Sequence, residues 1–215
     1  MKKLLYVILC TIITYSGYTQ QQVPIDSHYI FPEFLKGTIL MKSGIKNEAL
    51  LNYNSLSEEM VFDNKGTKLA LGQPELIDTI FINGRRFFLM DKKFVELVYK
   101  SKYALCVEHK CNIKDPGKPA GYGGTSQTSA TTSYSSYLSG GQVYGLKLPT
   151  GIETEPYIEY WLSKDGKQSK FLNIRQLSKL FSEKEDKVKE YLKKNDVKFN
   201  NQESLIGFIK FVEAN

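Results

Sequence analysis

The chain has 215 residues and a formal net charge of +6, from 29 basic and 23 acidic side chains. Loss of a leader that contains Lys2 and Lys3 and no acid would lower this charge by two, to +4. A basic balance this mild argues against nucleic acid as a partner. About 195 residues would remain, enough for one domain with a substantial core.

The N-terminus has the pattern of a secretory signal peptide. Lys2 and Lys3 precede an apolar run from Leu4 to Ile13, and Gly17 and Thr19 supply small residues before a cut after position 19 or one residue later. The apolar run is too short to span a membrane, and no later run has the length of a spanning helix. We therefore expect an exported protein, in the periplasm, at the outer membrane or outside the cell, with no membrane span after processing.

From residue 34 to 113, short apolar runs alternate with turn residues, which is typical of antiparallel strands joined by hairpins. The predicted strands cover 34–41, 49–53, 59–62, 67–71, 77–82, 85–90, 94–99 and 103–113. The clearest local signal is Asn83-Gly84, because a two-residue type I′ turn requires positive φ at both positions. That turn fixes a register in which Ile82 faces Arg85, and Ile80 faces Phe87.

Residues 115–142 are rich in glycine, serine and threonine and carry only two charged side chains. Such a segment buries too little apolar surface to offset its ordering entropy, so it predicts a long flexible loop. Tyr122, Tyr134 and Tyr137 could contact a sugar or a peptide there. The alternative is that they are solvated spacers in a tether.

Strand patterns resume at 143–148, 157–162 and 168–172, and the remainder of the chain predicts helices. Three times a capping residue stands three positions before a carboxylate or amide and opens an apolar helical stripe. These pairs are Asn173 with Gln176, Ser182 with Glu185, and Asn200 with Glu203. Each stripe is narrow, so we expect the helices to pack on the sheet or on each other.

Strands followed by terminal helices predict an α+β fold. The expected architecture is a mainly antiparallel β meander, as a sheet, sandwich or partly open barrel, with C-terminal helices. Its parts are a signal peptide over 1–19, a β-rich domain over 20–172 that contains the loop 115–142, and a helical segment over 173–215 packed on that domain.

The two cysteines outside the leader, Cys106 and Cys111, stand five residues apart in one predicted strand. An odd offset puts their thiols on opposite faces, about 16 Å apart, so we expect them to be free. His109 lies two residues before Cys111, on the same face, and could activate that thiol. A core or rim position is the simpler interpretation, because no nucleophile signature surrounds the pair. No metal site and no cofactor are predicted.

Acidic residues offer a second route to catalysis. Glu58, Glu59, Asp63, Glu96 and Glu108 could supply the carboxylate pair of a hydrolase. Nothing in the sequence fixes a distance between any two of them, and acids on the solvent face of strands are common. We therefore assign no catalytic residue.

Several short motifs resemble uncharacterised exported cell-envelope proteins of Bacteroidota-type bacteria. The likeness runs over roughly residues 34–212 and is carried by Asn52-Tyr53-Asn54, Glu58-Glu59-Met60, Asp78-Thr79-Ile80, Arg86-Phe87-Phe88, Glu96 and Gly121-Tyr122-Gly123. The resemblance implies an envelope protein with a meandering sheet and implies no activity.

The sequence thus favours a non-enzymatic envelope protein that binds a protein partner or assembles with one. The first alternative is a glycan-binding module that uses the aromatic side chains of the loop 115–142. The second is a carboxylate-dependent hydrolase.

Overall fold

The computed structural model describes residues 28–114, 118–119, 125–126 and 153–215. Ten strands form one sheet: β1 (Leu35–Met41), β2 (Lys46–Asn54), β3 (Glu59–Asn64), β4 (Thr67–Ala70), β5 (Ile77–Ile82), β6 (Arg85–Met90), β7 (Lys93–Lys100), β8 (Ala104–Lys114), β11 (Glu153–Lys164) and β12 (Lys167–Phe171). Two further strands pair only with each other, β9 (Lys118–Pro119) and β10 (Thr125–Ser126). The helices are α1 (Ile174–Lys179), α2 (Glu185–Lys194) and α3 (Gln202–Ala214), and short 3₁₀ turns cover Pro74–Leu76 and Ser182–Lys184.

The strand order in the sheet is β12-β11-β8-β7-β6-β5-β1-β2-β3-β4, and all neighbouring strands are antiparallel. The order departs from a simple meander where β1 pairs with β5, because β2, β3 and β4 extend the sheet on the other side of β1. With the three C-terminal helices, this architecture confirms the predicted α+β fold.

The hairpin between β5 and β6 has the predicted turn and register. Asn83 and Gly84 both have positive φ, at 48° and 75°. Ile82 pairs with Arg85, and Ile80 pairs with Phe87. The local turn chemistry therefore determines which side chains of these strands face the interior.

A close approach of three strands makes Gly37 a packing requirement. Gly37 in β1 lies opposite Ile82 of β5 and Ala49 of β2. A Cβ atom at this position would come within 2.8 Å of a methyl carbon of Leu51 and of the carbonyl oxygen of Phe81. Only a residue without a side chain fits between these neighbours.

One face of the sheet carries two separate hydrophobic cores. Phe87, Glu96 and Val107 are successive partners across β6, β7 and β8, and Tyr160 of β11 pairs with Val107, so these four side chains share that face. The first core lies between β8, β11, β12 and the helices, and its buried residues include Leu105, Tyr160, Phe171, Leu177, Phe181, Phe208 and Ile209. The second lies among β1, β2, β3, β5, β6 and β7, and its buried residues include Phe31, Leu51, Tyr53, Met60, Ile80 and Phe87.

The tip of the β2–β3 hairpin reaches back to β7 and β8. The Tyr53 hydroxyl donates to the carbonyl oxygen of His109 at 3.4 Å, and the Glu58 carboxylate pairs with the Lys93 ammonium at 2.5 Å. Tyr53 also stacks on Phe87, with ring centroids 6.1 Å apart. These contacts curl the sheet so that its early strands close over the second core.

Some sequence predictions need correction. The segment predicted as a structureless loop contains the short β9–β10 ladder. Ser182 does not cap a helix but begins the 3₁₀ turn, and α2 starts after Lys184 without a side-chain cap. The α3 cap is Asn201, whose side chain accepts from the Ser204 amide, rather than Asn200. Asn173 caps α1 as predicted.

The predicted strand 143–148 and the segment 1–19 predicted as a signal peptide lie outside the described residues. Within the described part of the chain, no helix combines the length and the apolar character that crossing a bilayer requires.

Candidate functional site

Three side chains form a compact polar cluster at the junction of the two cores. The guanidinium of Arg85 donates from Nε to Glu96 Oε1 at 2.7 Å and from Nη2 to Glu96 Oε2 at 2.5 Å. His109 Nε2 lies 2.8 Å from Glu96 Oε2 and 2.9 Å from Arg85 Nη2. The Glu96 carboxylate therefore contacts both side chains, and its contact with Arg85 is bidentate.

The strand ladder explains why these residues meet. Glu96 lies opposite Phe87 in β6 and opposite Val107 in β8, and His109 stands two residues beyond Val107 on the same face. A one-residue register shift in β7, between Leu97 and Tyr99, sets this pairing.

Aromatic rings fix the Arg85 guanidinium from a second direction. Its central carbon lies 5.1 Å from the ring centre of Phe31 and 5.5 Å from that of Phe87, both within cation–π range. Burial alone would raise the pKa of Glu96, but its hydrogen bonds to Arg85 and His109 outweigh that effect and lower the pKa to about 2. Glu96 is thus an ionised carboxylate that is almost entirely inside the protein.

A cleft of about 400 Å³ opens beside this cluster. Its lining combines aromatic, aliphatic and basic side chains, namely Tyr29, Ile30, Ser55, Arg85, His109, Lys110, Pro156, Tyr157 and Ile158. Tyr157 and Ile158 are 38% and 37% exposed, in the part of β11 that pairs with β8 but precedes the pairing with β12, which begins at Tyr160. The pairing of Lys114 with Glu153 places both ends of the β8–β11 connection at this end of the sheet.

Lys110 belongs to a second group of charges, which alternate in sign across the opposite face of the sheet. It lies 3.3 Å from Glu108 and 3.2 Å from Glu159. Glu159 also pairs with Lys170 at 2.6 Å, and Glu108 lies 3.3 Å from Lys93. With the Glu58–Lys93 pair, this group contains three acids and three lysines, so its formal charges cancel.

Glu108 is the central acid of this group. Burial would raise its pKa, but a hydrogen bond from the Trp161 indole at 3.0 Å and the charge of Lys110 lower the pKa to about 2. Trp161 also packs with Met90, Val95 and Cys106. Its indole therefore orients Glu108 and does not line the cleft.

These environments suit fixed charges better than proton transfer. A general acid near neutral pH needs a raised pKa, whereas the pKa values of Glu96 and Glu108 are both about 2. Burial raises the pKa of the Cys111 thiol, the reverse of what an activated nucleophile requires. Cys106 is buried, its pKa is raised to about 11, and both thiols are free.

The structure brings some predicted candidates together and separates others. Glu58 and Glu108 meet at Lys93, and Glu96 joins His109. Asp63 accepts from the Gly66 amide in a turn, and Glu59 lies in the β2–β3 ladder. Among the residues described, no group of three histidine, cysteine or acidic side chains could hold a metal ion. Tyr122, Tyr134 and Tyr137 lie outside the described part of the chain.

Sequence reasoning missed several residues that line the cleft, among them Arg85, Tyr29 and Ile158. Arg85 could have been recognised from the sequence, because strand alternation places it on the same face as Phe87. A charged side chain on that buried face needs an oppositely charged partner. Comparison of the chain with protein-family models, curated proteins and solved structures finds no match.

Proposed function

We propose that this protein is a non-catalytic binding module of the cell envelope and that it binds a protein partner through the cleft. The observation that carries the proposal is the cleft itself, in which exposed apolar side chains lie beside basic groups that buried carboxylates hold in place. Donors fixed before binding reduce the entropy that a ligand must offset. Exposed aromatic and aliphatic side chains provide the area that protein interfaces use as anchors.

The charges support binding rather than turnover. Glu96 and Glu108 are the most buried acids of the two ion groups, and both are ionised and paired with fixed cations. An enzyme that uses two carboxylates needs one of them protonated near its working pH. The hydrolase alternative therefore has less support than binding.

The glycan alternative also has less support from the described residues. Sugar sites commonly present a flat aromatic face beside hydrogen-bonding groups, and the chain's single tryptophan is engaged with Glu108 instead. The three aliphatic residues of the cleft, Ile30, Pro156 and Ile158, match peptide side chains better than sugar hydroxyls.

The test is affinity purification of the tagged mature protein from gently solubilised envelopes, with mass spectrometry of whatever is retained. We expect a stoichiometric protein companion with the natural sequence. The variant Ile158→Ser should lose it, because Ile158 pairs with His109 and lines the cleft. The matched control is Ile45→Ser, an apolar residue that is 59% exposed and lies in the β1–β2 turn. Equal recovery of the companion by the Ile158→Ser variant, or no companion at all, would contradict the proposal.

A further inference from the structure

We infer that the partner adds an extended segment of its own chain as a strand along the open edge of β11, beside the cleft. This inference rests on the proposed function and specifies how the partner binds. β11 pairs with β8 from Glu153 to Ser163, whereas β12 pairs with β11 only from Tyr160 to Lys164. Among the described residues, no strand therefore lies along the other side of β11 from residue 153 to residue 159.

The backbone groups of Ile158 point to this open side. Lys164 pairs with Lys167 across a two-residue turn, and residues that flank such a turn are hydrogen-bonded to each other. Because the hydrogen-bonding direction alternates along a strand, the amide and the carbonyl of Ile158 point to the same side as those of Lys164. The β8 partner of Ile158 gives independent evidence. It is His109, whose carbonyl accepts from the Tyr53 hydroxyl and therefore points away from β11.

Pro156 supports this assignment and limits the length of the open edge. Proline has no amide hydrogen, so within a sheet it is tolerated where the missing donor faces away from the ladder. Pro156 pairs with Cys111 and stands two residues before Ile158, so its backbone faces the same open side. The edge therefore offers the amide and the carbonyl of Ile158 and the carbonyl of Pro156 to an added strand.

The open edge of β11 borders the cleft. Pro156, Tyr157 and Ile158 all line the cleft, although neighbouring residues of a strand point to opposite faces. The cleft therefore reaches the backbone of β11 as well as its side chains. An extended polypeptide supplies backbone groups that pair with Ile158 and alternate side chains that enter the cleft. A helix does not fit this edge, because its backbone groups are already paired with each other.

The edges of the sheet argue against pairing between two copies of this chain. The outermost strands, β4 and β12, carry Lys68, Lys167 and Lys170, and lysine on an edge strand opposes edge-to-edge association. The open part of β11 is short and contains Pro156, which also opposes the pairing of whole sheets. A short segment of a different polypeptide needs only the two or three hydrogen bonds that this edge offers.

The test uses the mature chain labelled with ¹⁵N and measures by NMR the hydrogen exchange of the Ile158 amide and the dissociation constants of three peptides. The strand probe is acetyl-Lys-Val-Thr-Val-Thr-Val-Lys-amide, in which apolar and polar side chains alternate. Its match is the same peptide with N-methyl groups on the central valine and on the threonine after it. Adjacent residues direct their amides to opposite edges, so the two methyl groups block both edges of the peptide. The third peptide, acetyl-Lys-Pro-Val-Pro-Val-Pro-Lys-amide, represents a segment that does not pair as a strand.

We expect the strand probe to slow the exchange of the Ile158 amide and to bind about tenfold more tightly than its N-methylated match, as the loss of one or two hydrogen bonds would give. Ile158→Pro removes the amide that points to the open edge, so it should abolish this preference. Ile158→Ala is the matched control, because it also removes the isoleucine side chain but keeps the amide, and it should retain the preference. The exchange measurement needs no substitution, so it does not depend on how the Ile158→Pro variant folds.

Equal binding of the strand probe and its N-methylated match would overturn the inference, as would binding of neither. An Ile158 amide that is already protected from exchange in the free protein would also overturn it, because the chain itself would then cover the edge. Tighter binding of the proline-rich peptide would assign the cleft to side-chain recognition instead. The proposed function fails separately. If Ile158→Ser loses the protein companion while the strand probe and its match bind alike, the binding module stands and only strand addition falls.

Discussion

Glu96→Gln should destabilise the protein at neutral pH, and the size of the effect should depend on pH. The pKa of Glu96 is about 2, against an ordinary value of 4.5. A difference of that size corresponds to about 3 kcal/mol of stabilisation when the carboxylate is ionised. The amide keeps the shape of the side chain but cannot neutralise Arg85, so we expect a loss of about 3 kcal/mol.

The sign of the pH dependence follows from the direction of the shift. Because the folded-state pKa lies below the unfolded value, the stabilisation is complete above pH 4.5 and declines as the pH falls towards 2. Between these limits the free-energy difference between the natural protein and Glu96→Gln should shrink by about 1.4 kcal/mol per pH unit. Glu108 has a similarly low pKa, but it is present in both proteins and largely cancels in the comparison.

Urea unfolding followed by Trp161 fluorescence at several pH values measures this difference directly. The control is Glu190→Gln, an exposed acid in an i,i+4 pair with Lys194, which should leave the unfolding midpoint unchanged. A destabilisation by Glu96→Gln that stays constant from neutral pH to pH 3 would refute the reasoning. It would show that packing, rather than charge, makes Glu96 important.

Three further predictions concern the packing and the helix ends. Gly37→Ala should lower the free energy of unfolding by about 1–3 kcal/mol through overpacking. Gly72→Ala is the control and should be nearly neutral, because no atom lies within 4 Å of the added Cβ. Thermal unfolding of the two variants measures the difference. Asn201→Ala should lower the free energy of unfolding by about 1 kcal/mol, because it removes the α3 cap. Asn200→Ala should lower it much less, and the urea midpoints of the two variants measure the difference. Phe208→Ala should lose about 3–5 kcal/mol from the core under the helices, measured as a lower urea midpoint with a retained m-value.

The sequence predicts the local features of this fold well, because their causes are local. Asn83-Gly84 determines both the turn and the register of its hairpin, since few other residue pairs adopt positive φ at both positions. The pairing of β1 with β5 has no such local cause. This pairing depends on Gly37, which lets β2 and β5 approach β1 closely. The requirement for glycine can be recognised only from the packing of all three strands.

The helix caps show a similar limit. Asn200 and Asn201 are both suitable capping residues. The capping-box pattern favours Asn200, because Glu203 follows it by three positions. The structure uses the second, where the side chain of Asn201 accepts from the Ser204 amide. Two adjacent capping residues give local signals one residue apart, which is within the usual uncertainty of a predicted helix end.

The candidate site was only partly accessible from the sequence. The shared face of His109 and Cys111 follows from strand alternation, but Glu96 reaches His109 only because of the register shift in β7. Arg85 and Ile158 come from β6 and β11, which are distant in the chain, and no periodicity connects them. The cleft is therefore a product of strand order rather than of any motif.

The register shift in β7 places Glu96 and Glu108 on opposite faces of the sheet. Tyr99 pairs with Leu105, and if that pairing continued evenly along the strands, Glu96 would lie opposite Glu108. Two ionised carboxylates would then share one face of adjacent strands, and Arg85 would lose its acid. The extra residue, Val98, turns the Glu96 side chain to the other face of the sheet, so that Glu96 and Glu108 pair with different basic side chains. Chain length at this point is therefore more constrained than residue identity: most substitutions at Val98 would preserve the separation of the two acids, whereas its deletion would not.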